Sequence, residues 1–335
     1  MKKTITLIVL ALLVIAALLL FEADFSTAQV DAKYANAASQ FFTDSEGARI
    51  HYRDQGNPGG EPLVLVHGSN ASLHTWEPWI ATIGDRFRVI TLDLPAHGLT
   101  GAVPNGNYGT NAQLLSVERL MQHLDVPQFI LGGNSMGGGV SWRYALAHPE
   151  QVSALILIDA SGPRSWRREQ SENTAPKDEG PLAFRLLQKS WFRSIAGNLD
   201  TRYLTKQGLR AAFHDDSLVT EDMVDLYYHM SMRAGTREAT LARFTRRANA
   251  AQELTEANLA SLTLPTLILW GETDTLIPAS TGERFAAALP NSELIVYPNV
   301  GHIPMEEIAA QSAADLLSFL QQRPANRRTT GFQSN

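Results

Sequence analysis

No cysteine occurs among the 335 residues, which excludes disulfides, thiolate zinc sites and a cysteine nucleophile. An excess of basic charge is missing too. Lys and Arg number 28 against 34 Asp and Glu, giving a formal net charge of −6 and a pI near 5.9. With no basic stripe to contact phosphates, nucleic acid is not an expected partner. Metal-ligand spacing is also wanting: Asp93 and His97 share one loop, but two ligands without a third fit a hydrogen-bonded loop better than a metal site. No cofactor or metal is called for anywhere in the chain. Apolar residues are not scarce, and at 44% they suffice for a substantial core.

A long uncharged apolar run stands at the start. Met1-Lys2-Lys3 precedes the 17 residues Ile5 to Phe21, and Glu22 and Asp24 follow. A positive segment before an apolar helix is an export signal that keeps the lysines on the cytoplasmic side. Ser26-Thr27-Ala28 offers small residues for cleavage before Gln29. The run exceeds the usual signal-peptide length and reaches the lower limit for spanning, so an uncleaved anchor over residues 5–21 is favoured over a cleaved signal peptide. Either way the rest of the chain is expected to be exported. Residues 29–40, small and rich in alanine, have the composition of a linker.

The chemistry centres on Gly132-Gly133-Asn134-Ser135-Met136-Gly137-Gly138, which follows the apolar Phe129-Ile130-Leu131 and precedes the helical pattern Val140 to His148. A serine between a strand and a helix, with glycines two positions away on both sides, fits a turn too tight for side chains. Such a turn exposes the Ser135 hydroxyl and leaves the Met136 N–H at a helix N-terminus, where it suits a developing oxyanion. A second oxyanion donor should come from the loop after a neighbouring strand. The strand Pro62 to Val66 ends in His67-Gly68-Ser69-Asn70. There Gly68 permits a backward turn and the Ser69 N–H is the candidate, with His67 taken as structural.

Strand and helix patterns alternate through the chain. Ala48 to Gln55 alternates as a half-exposed antiparallel edge strand would, with Ile50 and Tyr52 on one face and His51 and Arg53 on the other. The runs 87–92 and 154–159 suit buried strands, while Trp76, Trp79 and the periodic apolar positions of Asn111 to Leu124 suit helix packing. This alternation specifies a mostly parallel α/β sheet with helices on both faces and sites at the carboxyl ends of its strands. After Gly162 it breaks. Pro181 to Ser194, Thr201 to Phe213, Thr220 to Met232 and Thr236 to Ala248 have helical patterns without strands, as an inserted lid would. Tyr227, Tyr228, Met230 and Met232 are its candidate pocket-lining side chains.

The alternation resumes at Leu264 to Trp270, followed by Gly271-Glu272-Thr273-Asp274. Asp274, just past the strand end, is the candidate triad acid, with Glu272 and Asp159 in reserve. The last strand, Ser292 to Tyr297, leads to Gly301-His302 and a final helix, Glu306 to Gln321. The chain order Ser135, Asp274, His302, each at a strand end, is that of a nucleophile, an orienting acid and a base.

On these residues, together with Asp93-Leu94-Pro95-Ala96-His97-Gly98, the chain resembles an α/β-hydrolase-fold serine hydrolase of the lid-bearing esterase and lipase-like branch from about Phe41 to Gln322. The resemblance implies an eight-stranded, mostly parallel sheet with a core at 41–162 and 250–322, a helical cap at 163–249, and a polar tail at 323–335. It implies Ser135 as nucleophile, His302 as base, Asp274 as its orienter, and the Ser69 and Met136 amides as the oxyanion hole. The expected substrate is a small-molecule ester or acyl compound. A serine in place of aspartate sets aside the halide- and epoxide-cleaving branches. The Gly-Asn-Ser-Met-Gly-Gly elbow is similar to that of carbon–carbon bond hydrolases of ring-cleavage products. Those usually carry a more Gly-rich oxyanion loop and a Trp after the catalytic His, where this chain has Ser69-Asn70 and Ile303. That activity is the second reading, and a perhydrolase side activity is open to the same triad. A non-catalytic exported ligand-binding protein of the same fold is the third, although such proteins commonly lack a triad member and this chain lacks none.

Overall fold

A computed structural model describes residues 21–166, 169, 200–245 and 254–323. Eight strands form one sheet in the order β1-β2-β4-β3-β5-β6-β7-β8. They are β1 (Ser39–Thr43), β2 (Arg49–Gly56), β3 (Glu61–Val66), β4 (Phe87–Leu92), β5 (Phe129–Asn134), β6 (Val152–Ile158), β7 (Thr266–Gly271) and β8 (Ser292–Tyr297). β1 and β2 pair antiparallel, as do β2 and β4, and every other pairing is parallel.

The central strands are apolar throughout because helices cover both of their faces. Val64, Val66, Ile90, Leu131 and Leu155 pack on one side with Val117 and Leu120 of the helix Thr110–His123 and Val140 of Met136–Ala147. Leu63, Leu65, Val89, Ile130 and Ile156 pack on the other with Trp79 of Glu77–Ile83 and Leu316 of Ala309–Gln322. Trp79 also donates its indole N–H to Ser312 Oγ at 2.9 Å, tying those two helices together.

The register sets where the chemistry sits. Val66 of β3 lies opposite Leu92 of β4 and Gly133 of β5, so all three strands end at the same edge. The strand order reverses around β3, which makes the crevice beyond these ends the topological switch point where ligands bind in open α/β sheets.

Three expectations are corrected. β2 is antiparallel but is not an edge strand, since β1 covers its outer side. Its polar face is therefore buried, with His51 joined to Asp93 at 2.7 Å and Arg53 to Glu77 at 2.7 Å. Residues 29–40 are not a linker: Thr27–Tyr34 is a helix, and β1 begins at Ser39. Ser26 and Gln29 form a reciprocal capping box, and Val30 buries against Leu99 and Met230. The final helix is also two pieces, Pro304–Glu307 and Ala309–Gln322.

Three cap helices lie within the described residues, at Arg202–Ala212, Glu221–Ser231 and Thr236–Thr245. The expected helix at 181–194 lies outside them, as do the apolar run at 1–20 and the tail beyond 323. Among the described residues no helix is long and apolar enough to cross a membrane.

Candidate active site

Ser135 occupies the corner between β5 and the helix Met136–Ala147 with φ 53° and ψ −116°. This is a strained conformation that surrounding structure must over-determine. Here the main chain does so: Ser135 N donates to Ile158 O at 2.9 Å, and Ser135 O accepts from Ser161 N at 2.8 Å and Gly139 N at 3.1 Å. Backbone crowding accounts for the neighbouring glycine, since a Cβ on Gly137 would stand 2.1 Å from Val66 O.

The oxyanion loop packs directly against this corner. A Cβ on Gly68 would lie 3.3 Å from Ser135 Cβ and 2.7 Å from Asn134 Oδ1, so the chain before Ser69 passes close to Ser135. Among the described residues neither the Ser69 nor the Met136 N–H is given to a backbone carbonyl, and the latter is one of the orphan donors of a helix's first turn. His67 proves structural: its Nε2 accepts from Leu94 N at 3.1 Å and its Nδ1 lies 2.7 Å from Gly68 O.

Asp274 and His302 meet on the same edge. The Asp274 Oδ2 to His302 Nδ1 distance is 2.6 Å, with both side chains buried. Asp274 Oδ1 accepts from the amides of Leu276 at 2.7 Å and Ile277 at 3.0 Å, which fixes the carboxylate. His302 is anchored by its own main chain, donating N–H to Ala212 O at 2.7 Å and accepting from Asn134 Nδ2 at 3.0 Å. Among the described residues the Ser135 hydroxyl makes no hydrogen bond to the His302 ring, whose Nδ1 faces Asp274.

The two reserve acids part company. Glu272 is exposed. Asp159 is fully buried, with its Oδ1 accepting from Gly271 N at 3.0 Å. Burial, then the neighbouring Asp274 charge, push the Asp159 carboxyl well above its ordinary range. Asp159, Asp274 and His302 bring donor atoms within 4.8 Å of one another. Asp274 is already committed to His302 and to the amides of Leu276 and Ile277, which makes it a poor ligand for a cation.

Asp93 and His97 do not converge as ligands. Asp93 accepts from the amides of Leu73 and Leu99, each at 2.8 Å, besides bonding His51. Burial alone would raise its carboxyl, but the His51 ring outweighs this and holds it well below the usual carboxylate range. Of the proposed pocket residues, Met230 packs under the N-terminal helix, and Tyr228 contacts Phe25 edge-on with ring centroids 5.8 Å apart. Tyr227 alone of the four reaches the sheet-borne edge, donating to Glu306 Oε1 at 2.9 Å.

One residue of the site was absent from the sequence-based list. Arg243, on the cap helix Thr236–Thr245, extends to the oxyanion loop. Its guanidinium donates to Ser69 Oγ at 2.8 Å, Asn70 Oδ1 at 2.9 Å, His97 Nε2 at 3.0 Å and Met136 Sδ at 3.0 Å. An arginine in a helical pattern carries no local signal for such a role.

Comparison with known proteins identifies the family. The family described as alpha/beta hydrolase fold matches residues 61–308. The uncharacterized hydrolase YugF of Bacillus subtilis is 31% identical over 280 residues, covering 82% of this chain and 96% of that protein. Lipase 1 of Psychrobacter immobilis is 26% identical, covering 82% of this chain and 81% of the lipase. Among solved structures, the meta-cleavage product hydrolase CumD superposes with a TM-score of 0.70 at 24% identity, covering 85% of this chain and 99% of that one.

Proposed function

The chain belongs to the alpha/beta hydrolase fold family, and from that premise we propose that it cleaves carboxylic esters through an acyl-enzyme on Ser135, His302 and Asp274. The observation that carries this reading is the 2.6 Å contact between Asp274 and His302 at the edge where Ser135 holds its strained corner. His302 Nε2 takes the Ser135 proton as Oγ attacks the ester carbonyl, and Asp274 stabilises the imidazolium through Nδ1. The Ser69 and Met136 amides receive the oxyanion, each worth roughly 3–4 kcal/mol in the transition state. The imidazolium then protonates the departing alcohol; in the second half, the same histidine takes a proton from a water that attacks the acyl carbonyl and returns it to Ser135 Oγ as the acid leaves.

Carbon–carbon bond cleavage remains the second reading because of the shared Asn134 before the nucleophile. In this fold, however, Asn134 Nδ2 is committed to Ile158 O at 3.2 Å and His302 O at 3.0 Å, a scaffolding role open to either chemistry. The residue after His302 is the buried Ile303. Rapid-quench mass spectrometry of the protein with p-nitrophenyl butyrate tests the ester reading. A butyryl adduct on the Ser135 peptide is expected, and turnover without an adduct on that peptide overturns it.

Export with retention of residues 5–21 as an anchor belongs to the same proposal. Its support is the docking of the segment just past that run: Phe25 N donates to Met232 O at 2.8 Å, Ala234 N donates to Phe25 O at 2.9 Å, and Asp24 pairs with Arg237 at 2.6 Å. Cleavage before Gln29 would discard these contacts and the Ser26 cap.

A further inference from the structure

Arg243 contacts the side chains of both residues assigned to the oxyanion hole, Ser69 at 2.8 Å and Met136 at 3.0 Å. A group bound to this guanidinium would therefore stand a few ångströms from the scissile carbonyl. Ser69 and Asn70, two of its partners, are exposed. The ring of His97 shows how the cation is used at present. With Nδ1 donating to Pro95 O at 2.9 Å, its Nε2 is left as an acceptor for Arg243. The Met136 thioether is a weak acceptor, and a carboxylate oxygen in its place would form a charge-assisted bond roughly twice as strong as a neutral one.

Charge narrows the ligand. Burial pushes the Arg243 guanidinium down only to about 10, so it is cationic at neutral pH. His67 and His97, the rings beside it, are both held below their ordinary values, chiefly by burial. Among the described residues Arg243 is the cation hydrogen-bonded to Ser69 and Asn70, and one guanidinium charge matches a monoanion better than a phosphate dianion.

We propose that Arg243 is the receptor for a carboxylate carried on the acyl part of the substrate, so that the preferred esters are half-esters of short dicarboxylic acids. This rests on the ester reading above, and the test separates the two. The full-length chain in detergent is assayed by acid release with monoethyl glutarate and with ethyl pentanoate, its uncharged counterpart of equal chain length. In parallel, glutarate binding to the Ser135→Ala protein is measured by calorimetry, which needs no turnover. A kcat/KM ratio favouring the half-ester is expected. That ratio and the glutarate affinity should both fall by roughly tenfold to hundredfold in Arg243→Gln, which keeps hydrogen bonds without charge. Arg243→Lys should recover part of each.

Arg243-dependent glutarate binding without turnover of either ester would uphold the carboxylate receptor while removing the ester reading. Turnover of ethyl pentanoate at least as fast as monoethyl glutarate, with a ratio indifferent to Arg243→Gln, would overturn the receptor and leave the esterase. Binding of inorganic phosphate in preference to glutarate would overturn it as well.

Discussion

Tyr227 on the cap helix Glu221–Ser231 donates its hydroxyl to Glu306 Oε1 at 2.9 Å, and Thr75 donates to the same oxygen. Glu306 follows His302 by four residues, and Thr75 belongs to the short 3₁₀ turn Leu73–Trp76 after the oxyanion loop. One carboxyl thus joins the cap to the segment after His302 and to the turn that follows the Ser69 loop.

Burial raises Glu306 to about 7 in spite of the two hydroxyl donors, which lower it. A carboxyl raised on folding contributes stability that is fully present below its unfolded value near 4.3 and lost as pH rises through about 7. Chemical denaturation of wild type should therefore show a loss between pH 5 and 8 on the order of 1–2 kcal/mol, the residual exposure of the side chain keeping it small. Glu306→Gln should flatten that segment of the profile; an unchanged slope would dissociate the effect from this residue.

Ser135→Ala and His302→Ala should each lower kcat on p-nitrophenyl butyrate by roughly 10⁴–10⁶-fold, and Asp274→Asn by about 10⁴-fold. The circular dichroism of all three should match wild type. Because the three act as a unit, the double variant Ser135→Ala, His302→Ala should be no worse than either single one.

Asp159→Asn keeps a side-chain oxygen that accepts from Gly271 N. Activity within about threefold of wild type is expected, because a conservative change in a satisfied bond costs little. Asp159→Ala strands the buried Gly271 amide and should lower stability by about 1–3 kcal/mol in urea titrations.

Asp93→Asn should be far more costly, about 3–5 kcal/mol, because it uncouples the buried His51 from its carboxylate partner at 2.7 Å. A carboxyl depressed on folding gives stability that is present above its unfolded value near 3.9 and lost as pH falls through the folded one. The wild type should accordingly lose this contribution only below about pH 4, and the variant should lack that acid-side slope.

A chain beginning at Gln29 would lack Phe25, Asp24 and the Ser26 cap. Cap loss alone is worth about 1 kcal/mol. Its melting temperature should lie several degrees below that of a chain beginning at Phe21, and intact-mass measurement of the native protein should find residues 21–28 retained.

Much of this molecule was legible in one dimension. The nucleophile corner announces itself because glycines are needed where backbone crosses backbone, as Gly137 is against Val66 O. Asp274 and His302 could be chosen because each follows a strand end, and parallel strands deliver their carboxyl ends to one edge. The reading failed where a local pattern has two meanings. Residues 29–40 have the small, alanine-rich composition of a linker, and the same stretch continues the helix Thr27–Tyr34 that Ser26 and Gln29 cap. His51 and Arg53 alternate as an exposed face would, until β1 covers them and Asp93 and Glu77 pair with them.

Sequence by itself determined the sheet, its elbow and the order of the three candidate catalytic residues, because periodicity, glycine punctuation and strand-end position are properties of short stretches. Only the tertiary structure decided that Arg243 meets Ser69 and Asn70, that Asp159 is buried close to Asp274, and that Tyr227 meets Glu306. Each of these joins residues many positions apart, and contact and burial at that range depend on how the cap and sheet pack rather than on any pattern along the chain.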